Sequence, residues 1–115
     1  AFSREFFNLV TSPEAISVHR ICVSESVNHP NLSKLFYSAA PEFIIGELTK
    51  CLAEYDRRGE LCIPVPRMAA MQLLSMVKGE QWMQIELNIE PSLSPAEVDD
   101  YITSSVRLFI QGYSS

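Results

Sequence analysis

His19 and Cys22 stand three residues apart in the segment SPEAISVHRICVSES, a spacing that puts an imidazole and a thiol on one face of a helix. Glu25 and Ser26 follow one turn further on. A thiol beside its general base is the pattern of nucleophilic catalysis, and this pair is the best candidate for it in the chain. Nothing else in the sequence completes such a site: there is no Gly-rich turn or donor loop for an oxyanion, and no carboxylate placed to orient the histidine. The same residues, with Glu25, make the beginning of a metal site, but a full ligand set is absent. Cys51 and Cys62 bring the cysteines to three, an odd number without zinc-type pairs, which fits reduced thiols. The sequence therefore predicts no catalytic residues, no metal and no cofactor. Cys22 is expected as a buried thiol and His19 as a polar residue on an apolar face, where it needs a partner.

The elements that position these residues are helical. Phe2, Phe6, Leu9 and Val10 recur at helical spacing up to Thr11 and Ser12, and Ser12, Pro13 and Glu14 make an N-cap and first turn for a second helix. That helix carries Ala15, Val18, His19, Cys22 and Ser26 on one face and ends before Pro30, which disfavours a helical residue ahead of it. A short segment, Asn31 to Ala39, with Asn31 as its N-cap, presents Leu32, Leu35 and Phe36. A longer one opens at Pro41 and carries Ile44, Leu48, Cys51, Leu52 and Tyr55 to a stop at Gly59. The connector GELCIPVP, with two prolines, is extended. Pro66 to Asn88 is apolar on nearly every side in its first half, the mark of a central helix, and its interior Gly79 implies a close helix crossing. The last helix starts from a capping box, Ser94 with Glu97, and carries Val98, Tyr101, Ile102, Ser105, Val106, Phe109 and Tyr113. No strand-like alternation appears, so the fold class is all-α, a bundle of five or six helices in one domain spanning residues 1–115.

Composition narrows the function. The chain is 47% apolar and 20% charged, too apolar for a disordered segment. A mean hydropathy of +0.07 in so short a chain implies apolar surface that meets a partner or lines a cavity. Nine Lys and Arg against 14 Asp and Glu give a net charge of -5, and the one basic doublet, Arg57 and Arg58, is read as a solvated helix end rather than a phosphate contact. No run has the length of a membrane span, and AFSREFFNLV lacks the order of a signal peptide, so the chain reads as cytoplasmic with no membrane partner.

The order of caps and stripes in SESVNHPNLSKLFYSAAPEFIIGELTKCLAEYDRRGEL resembles the ligand-binding half of TetR-type transcriptional regulators. SPEAISVHRICVSES, HPNLSKLFYSAAPE and the tail SPAEVDDYITSSVRLFIQGY look like helices of the AefR-like subgroup. The resemblance implies a homodimeric regulator, expected to be a repressor. Its C-terminal helical domain would bind a small apolar or aromatic effector, and an N-terminal helix-turn-helix would bind operator DNA. No helix-turn-helix pattern precedes Phe2, so operator binding is expected of a parent protein through that domain and not of these residues. The cavity implied is lined by Phe6, Val10, His19, Cys22, Val23, Phe36, Phe43, Leu48, Met71 and Leu74. The two long C-terminal helices need cover that a small domain does not supply alone. They are expected to make a four-helix dimer interface through Gly79, Trp82, Met83, Val98, Ile102, Ser105, Val106 and Phe109. The alternatives are a helical protein-interaction module without a small ligand and, more remotely, a small hydrolase using Cys22.

Overall fold

The computed structural model describes residues 2–90 and 92–114, residue 2 by its backbone. The apolar role expected of the Phe2 side chain lies outside the described residues. Six α-helices follow in order: α1 (Phe2–Val10), α2 (Pro13–Glu25), α3 (Pro30–Ala39), α4 (Pro41–Arg57), α5 (Pro66–Glu86) and α6 (Pro95–Gly112), with no strand among the described residues.

Proline opens five of them, because its missing N–H is no loss in a first turn and its fixed φ suits the helix. Ser12 caps α2 by accepting from the Ala15 N–H at 3.2 Å. Ser94 and Glu97 form the expected reciprocal capping box of α6. Asn31 does not cap α3: that helix begins one residue earlier, at Pro30, and His29 stands at the cap without a side-chain hydrogen bond. Two helices end in the same way. Gly59 (φ 80) after α4 and Asn88 (φ 59) after α5 take left-handed conformations. The following amides, Glu60 and Ile89, then donate back to Tyr55 and Gln84 at 3.0 and 2.8 Å.

The core gathers α1, α4, α5 and α6: Phe6 and Phe7, then Ile45, Leu48 and Leu52, then Ala69, Ala70, Leu73, Leu74 and Val77, then Val98, Ile102 and Phe109, with Ile63 of the connector. Ala69 and Ala70 of α5 are fully buried. The connector is stitched down by the Ile63 N–H donating to Asp56 Oδ1 at 2.8 Å and the Cys62 N–H donating to the Tyr113 carbonyl at 2.7 Å. Arg4 on α1 pairs with Asp99 on α6 at 3.3 Å.

Two expectations about the C-terminal helices change. α5 is not a regular helix through Gly79, where φ is 56 and ψ is -162 and the axis bends. On α6 the apolar stripe Val98, Ile102, Ser105 and Phe109 faces inward and is buried within the chain itself. Val106 packs half-buried against the same core. These side chains therefore have little surface left to offer a second copy. The apolar α6 residues that stay exposed are Tyr101, Leu108 and Ile110.

Candidate functional site

α2 meets the end of α5 through a cluster of charges around one buried carboxylate. The Glu86 side chain retains 11% exposure and lies beside His19 Nδ1 and, at 3.7 Å, Arg20 Nε. Arg20 also donates to the Ile85 and Glu86 carbonyls at 2.8 and 2.9 Å and to Asn88 Oδ1 at 3.1 Å. Those carbonyls belong to the last turn of α5, where intrahelical donors run out and the helix dipole is negative. The guanidinium thus supplies the C-terminal cation that α5 lacks in its own last turn.

His19 is also the centre of an aromatic cluster. Its ring meets Trp82 edge-on at a centroid distance of 5.5 Å and Phe36 at 6.3 Å. Lys78 sets its ammonium 4.0 Å above the Trp82 ring. Burial holds the Lys78 pKa below the usual lysine range, with the Glu86 charge acting against it. One side of the cluster is thus aromatic edges, the other a set of donors and acceptors close to one carboxylate.

Glu86 is the orienting carboxylate that the sequence did not reveal. Even so, among the described residues no hydrogen bond joins the Cys22 thiol to His19, so the nucleophile–base link of a hydrolase is missing. Cys22 is buried, and its carbonyl accepts from Ser33 Oγ at 3.3 Å. No group of three or more His, Cys, Asp or Glu able to hold a metal occurs among the described residues. Nor is any helix among them long and apolar enough to cross a membrane.

The residues expected to line one cavity divide among several places. His19 and Phe36 come together. Phe6, Leu48 and Leu74 belong to the core, and Val10 packs on it. Val23 and Phe43 are exposed. Met71, 47% exposed, lies instead in a surface groove of about 930 Å³ between the first half of α5 and the end of α6, with Val65, Met68, Met76, Leu108 and Tyr113. Of the residues expected at a dimer interface, Trp82 belongs to the His19 cluster, Gly79 lies under Tyr101 of its own chain, and Met83 is exposed. Sequence reasoning missed Arg20, Lys78 and Glu86. The one signal for them is that Trp82, the only tryptophan, follows Lys78 and precedes Glu86 by one helical turn each.

This helical order matches, over residues 1–115, the family model described as AefR-like transcriptional repressor, C-terminal domain. The chain belongs to that family, the C-terminal domains of TetR-type regulators. Among solved structures it is similar to a flavonoid-responsive regulator, FrrA, with a TM-score of 0.88 and 28% sequence identity over 98% of this chain. The chain spans 57% of that protein's length. No curated protein matches it.

Proposed function

We propose that this domain binds a small aromatic effector at the His19 cluster and pairs with a second copy through the open face of α5 and α6. It would thereby control the operator binding of a helix-turn-helix domain in the parent protein, as the family's repressors do. The observation that carries the effector reading is the His19–Trp82–Phe36 cluster. It assembles imidazole, ammonium, guanidinium and carboxylate groups around aromatic edges from three helices, apart from the main core. The similarity to a regulator named for its response to flavonoids favours a planar, hydroxylated aromatic ligand.

The pairing reading rests on shape. The chain measures 46 × 35 × 17 Å, and its shortest dimension is under two helix diameters of roughly 10–12 Å each. A slab so thin leaves α5 and α6 with one face uncovered, and there Val65, Met68, Met71 and Leu108 are exposed. A second copy related by two-fold symmetry would cover the methionine groove with its own. The interface proposed from the sequence thus moves from the inward stripe of α6 to its outward face.

A thermal-shift panel of flavonoids against the chain of residues 1–115 tests the effector reading. Free ligand at a hundred times its Kd adds about 2.7 kcal/mol of stability, which for a domain of this size raises the melting temperature by roughly 10 °C. The shift is expected to fall in His19→Ala and Trp82→Leu. A panel that leaves the melting temperature unmoved, while the uncovered face still captures a helical protein, would favour the interaction-module reading instead.

A further inference from the structure

α5 reads as one helix in sequence, yet its backbone leaves the helical region at Gly79, with φ 56 and ψ -162. That combination is essentially open to glycine alone. The flanking residues do not demand the break: Met76, Val77, Lys78, Glu80, Gln81 and Trp82 are all compatible with a continuous helix. One side chain of the neighbouring helix braces it. The Tyr101 hydroxyl donates to the Met76 carbonyl, the group that would accept from the Glu80 N–H in an unbroken helix. The Tyr101 ring also lies against Gly79, so that a Cβ there would stand 2.7 Å from the hydroxyl oxygen and 2.9 Å from Cζ.

The two halves of α5 carry different surfaces. Residues 66–78 supply the centre of the core and the methionine groove. Residues 80–86 carry Trp82 and Glu86 against His19 and Arg20 of α2. A change at the bend therefore moves the aromatic cluster relative to the open face. The second state is an ordinary helix at the bend, and reaching it displaces residues 80–86 from their contacts with His19 and Arg20 of α2.

We propose that Gly79 and Tyr101 form a hinge and latch, through which α5 passes between the bent, latched form and a continuous helix, linking the His19 cluster to the α5–α6 face. The linkage rests on the effector reading above; the hinge does not. In the continuous form Gly79 takes helical angles, the Met76 carbonyl returns to the Glu80 N–H, and Tyr101 swings toward solvent, where it is already partly exposed.

The hinge is tested without ligand on residues 1–115 by hydrogen exchange across residues 79–83 and by the emission of Trp82, the only tryptophan. Gly79→Ala forbids the bent backbone and permits the straight one. It is expected to fold, to slow exchange at these amides, and to shift Trp82 emission as the ring leaves His19. Tyr101→Phe keeps the ring and removes the donor. It should move exchange in the same direction by about five- to tenfold, the size of one neutral hydrogen bond. A Gly79→Ala chain that does not fold, or that keeps the unmutated emission and exchange, overturns the hinge. If the hinge holds but a compound that raises the melting temperature leaves residues 79–83 unchanged, the linkage is overturned. If no compound raises the melting temperature, the failure belongs to the effector reading.

Discussion

Leu108 and Phe109 are neighbours on α6 with opposite surroundings, 60% and 5% exposed, so their substitution separates the chain's own core from the face proposed to pair. Phe109 packs in the core and against the Tyr113 ring, 4.9 Å between centroids, so Phe109→Ala removes a buried aromatic side chain and leaves a cavity beside α5. Such truncations cost about 3–5 kcal/mol. With an unfolding entropy of roughly 2.1 cal/mol/K per residue, that corresponds to a loss of roughly 12–20 °C in melting temperature. Leu108→Glu puts a charge on a side chain that the folded chain leaves in water, and substitutions of that kind change protomer stability by within about 0.5 kcal/mol. Its effect is on association: the mass measured by light scattering should fall from two chains to one, and the melting temperature should lose its concentration dependence. Calorimetry at two protein concentrations, alongside light scattering, gives both readouts. The reasoning is refuted if Leu108→Glu remains paired, or if Phe109→Ala melts within a few degrees of the unmutated chain.

Arg20→Ala should destabilise the domain by about 2 kcal/mol in urea unfolding, since it strips the charge-assisted hydrogen bonds from the α5 carbonyls and removes the guanidinium beside Glu86; a loss under 0.5 kcal/mol would show that the C-terminal turn of α5 does not need it. Ser94→Ala should cost about 1 kcal/mol through the lost cap of α6. The Glu97 carboxyl is held below the usual carboxylate range by the Ser94 backbone and side-chain hydrogen bonds, so its contribution is complete above the unfolded carboxylate pKa and is lost as pH falls through the lower folded value. Urea unfolding midpoints should accordingly differ less between pH 7 and pH 3 in Glu97→Ala than in the unmutated chain. Lys78 has the opposite sign to a paired cation: because burial lowers its folded pKa, the unfolded chain binds more protons through that window and stability rises as pH climbs through it. Lys78→Met should abolish that rise in urea midpoints taken from pH 7 to pH 11.

Local signals were legible in the sequence wherever the physics is local. Pro13, Pro41, Pro66 and Pro95 each open the helix they announce, the Ser94–Glu97 box forms, and Gly59 ends α4 in a left-handed turn. Asn31 misled because Pro30 can itself start the helix, which shifts the cap to His29. On α6, periodicity found the stripe of Val98, Ile102 and Phe109 but not what covers it. An apolar stripe reads the same whether it meets its own core or a second copy, and only the packing of α1 and α5 decides that here. The site was half legible for a similar reason. His19 stood out as a polar group needing a partner, while that partner, Glu86, comes from another helix and carries no local mark. Gly79 reads as a close crossing, and Tyr101 does lie against it, but the left-handed angles that break α5 there have no mark in the helix-compatible residues around the glycine.

The central claim is that an aromatic effector binds at the cluster of His19, Phe36 and Trp82. Trp82 is the chain's only tryptophan and touches the His19 ring and the Lys78 ammonium, so its fluorescence reports on that cluster. Titration of residues 1–115 with planar hydroxylated aromatic compounds, corrected for their own absorbance, is the most direct measurement. Saturable quenching is expected with at least one of them, weakened about tenfold or more in His19→Ala, as follows where a desolvated polar contact to ligand is removed. Saturable binding that raises the melting temperature while Trp82 emission stays constant, or that is equally tight in His19→Ala, would place the effector elsewhere and contradict the claim.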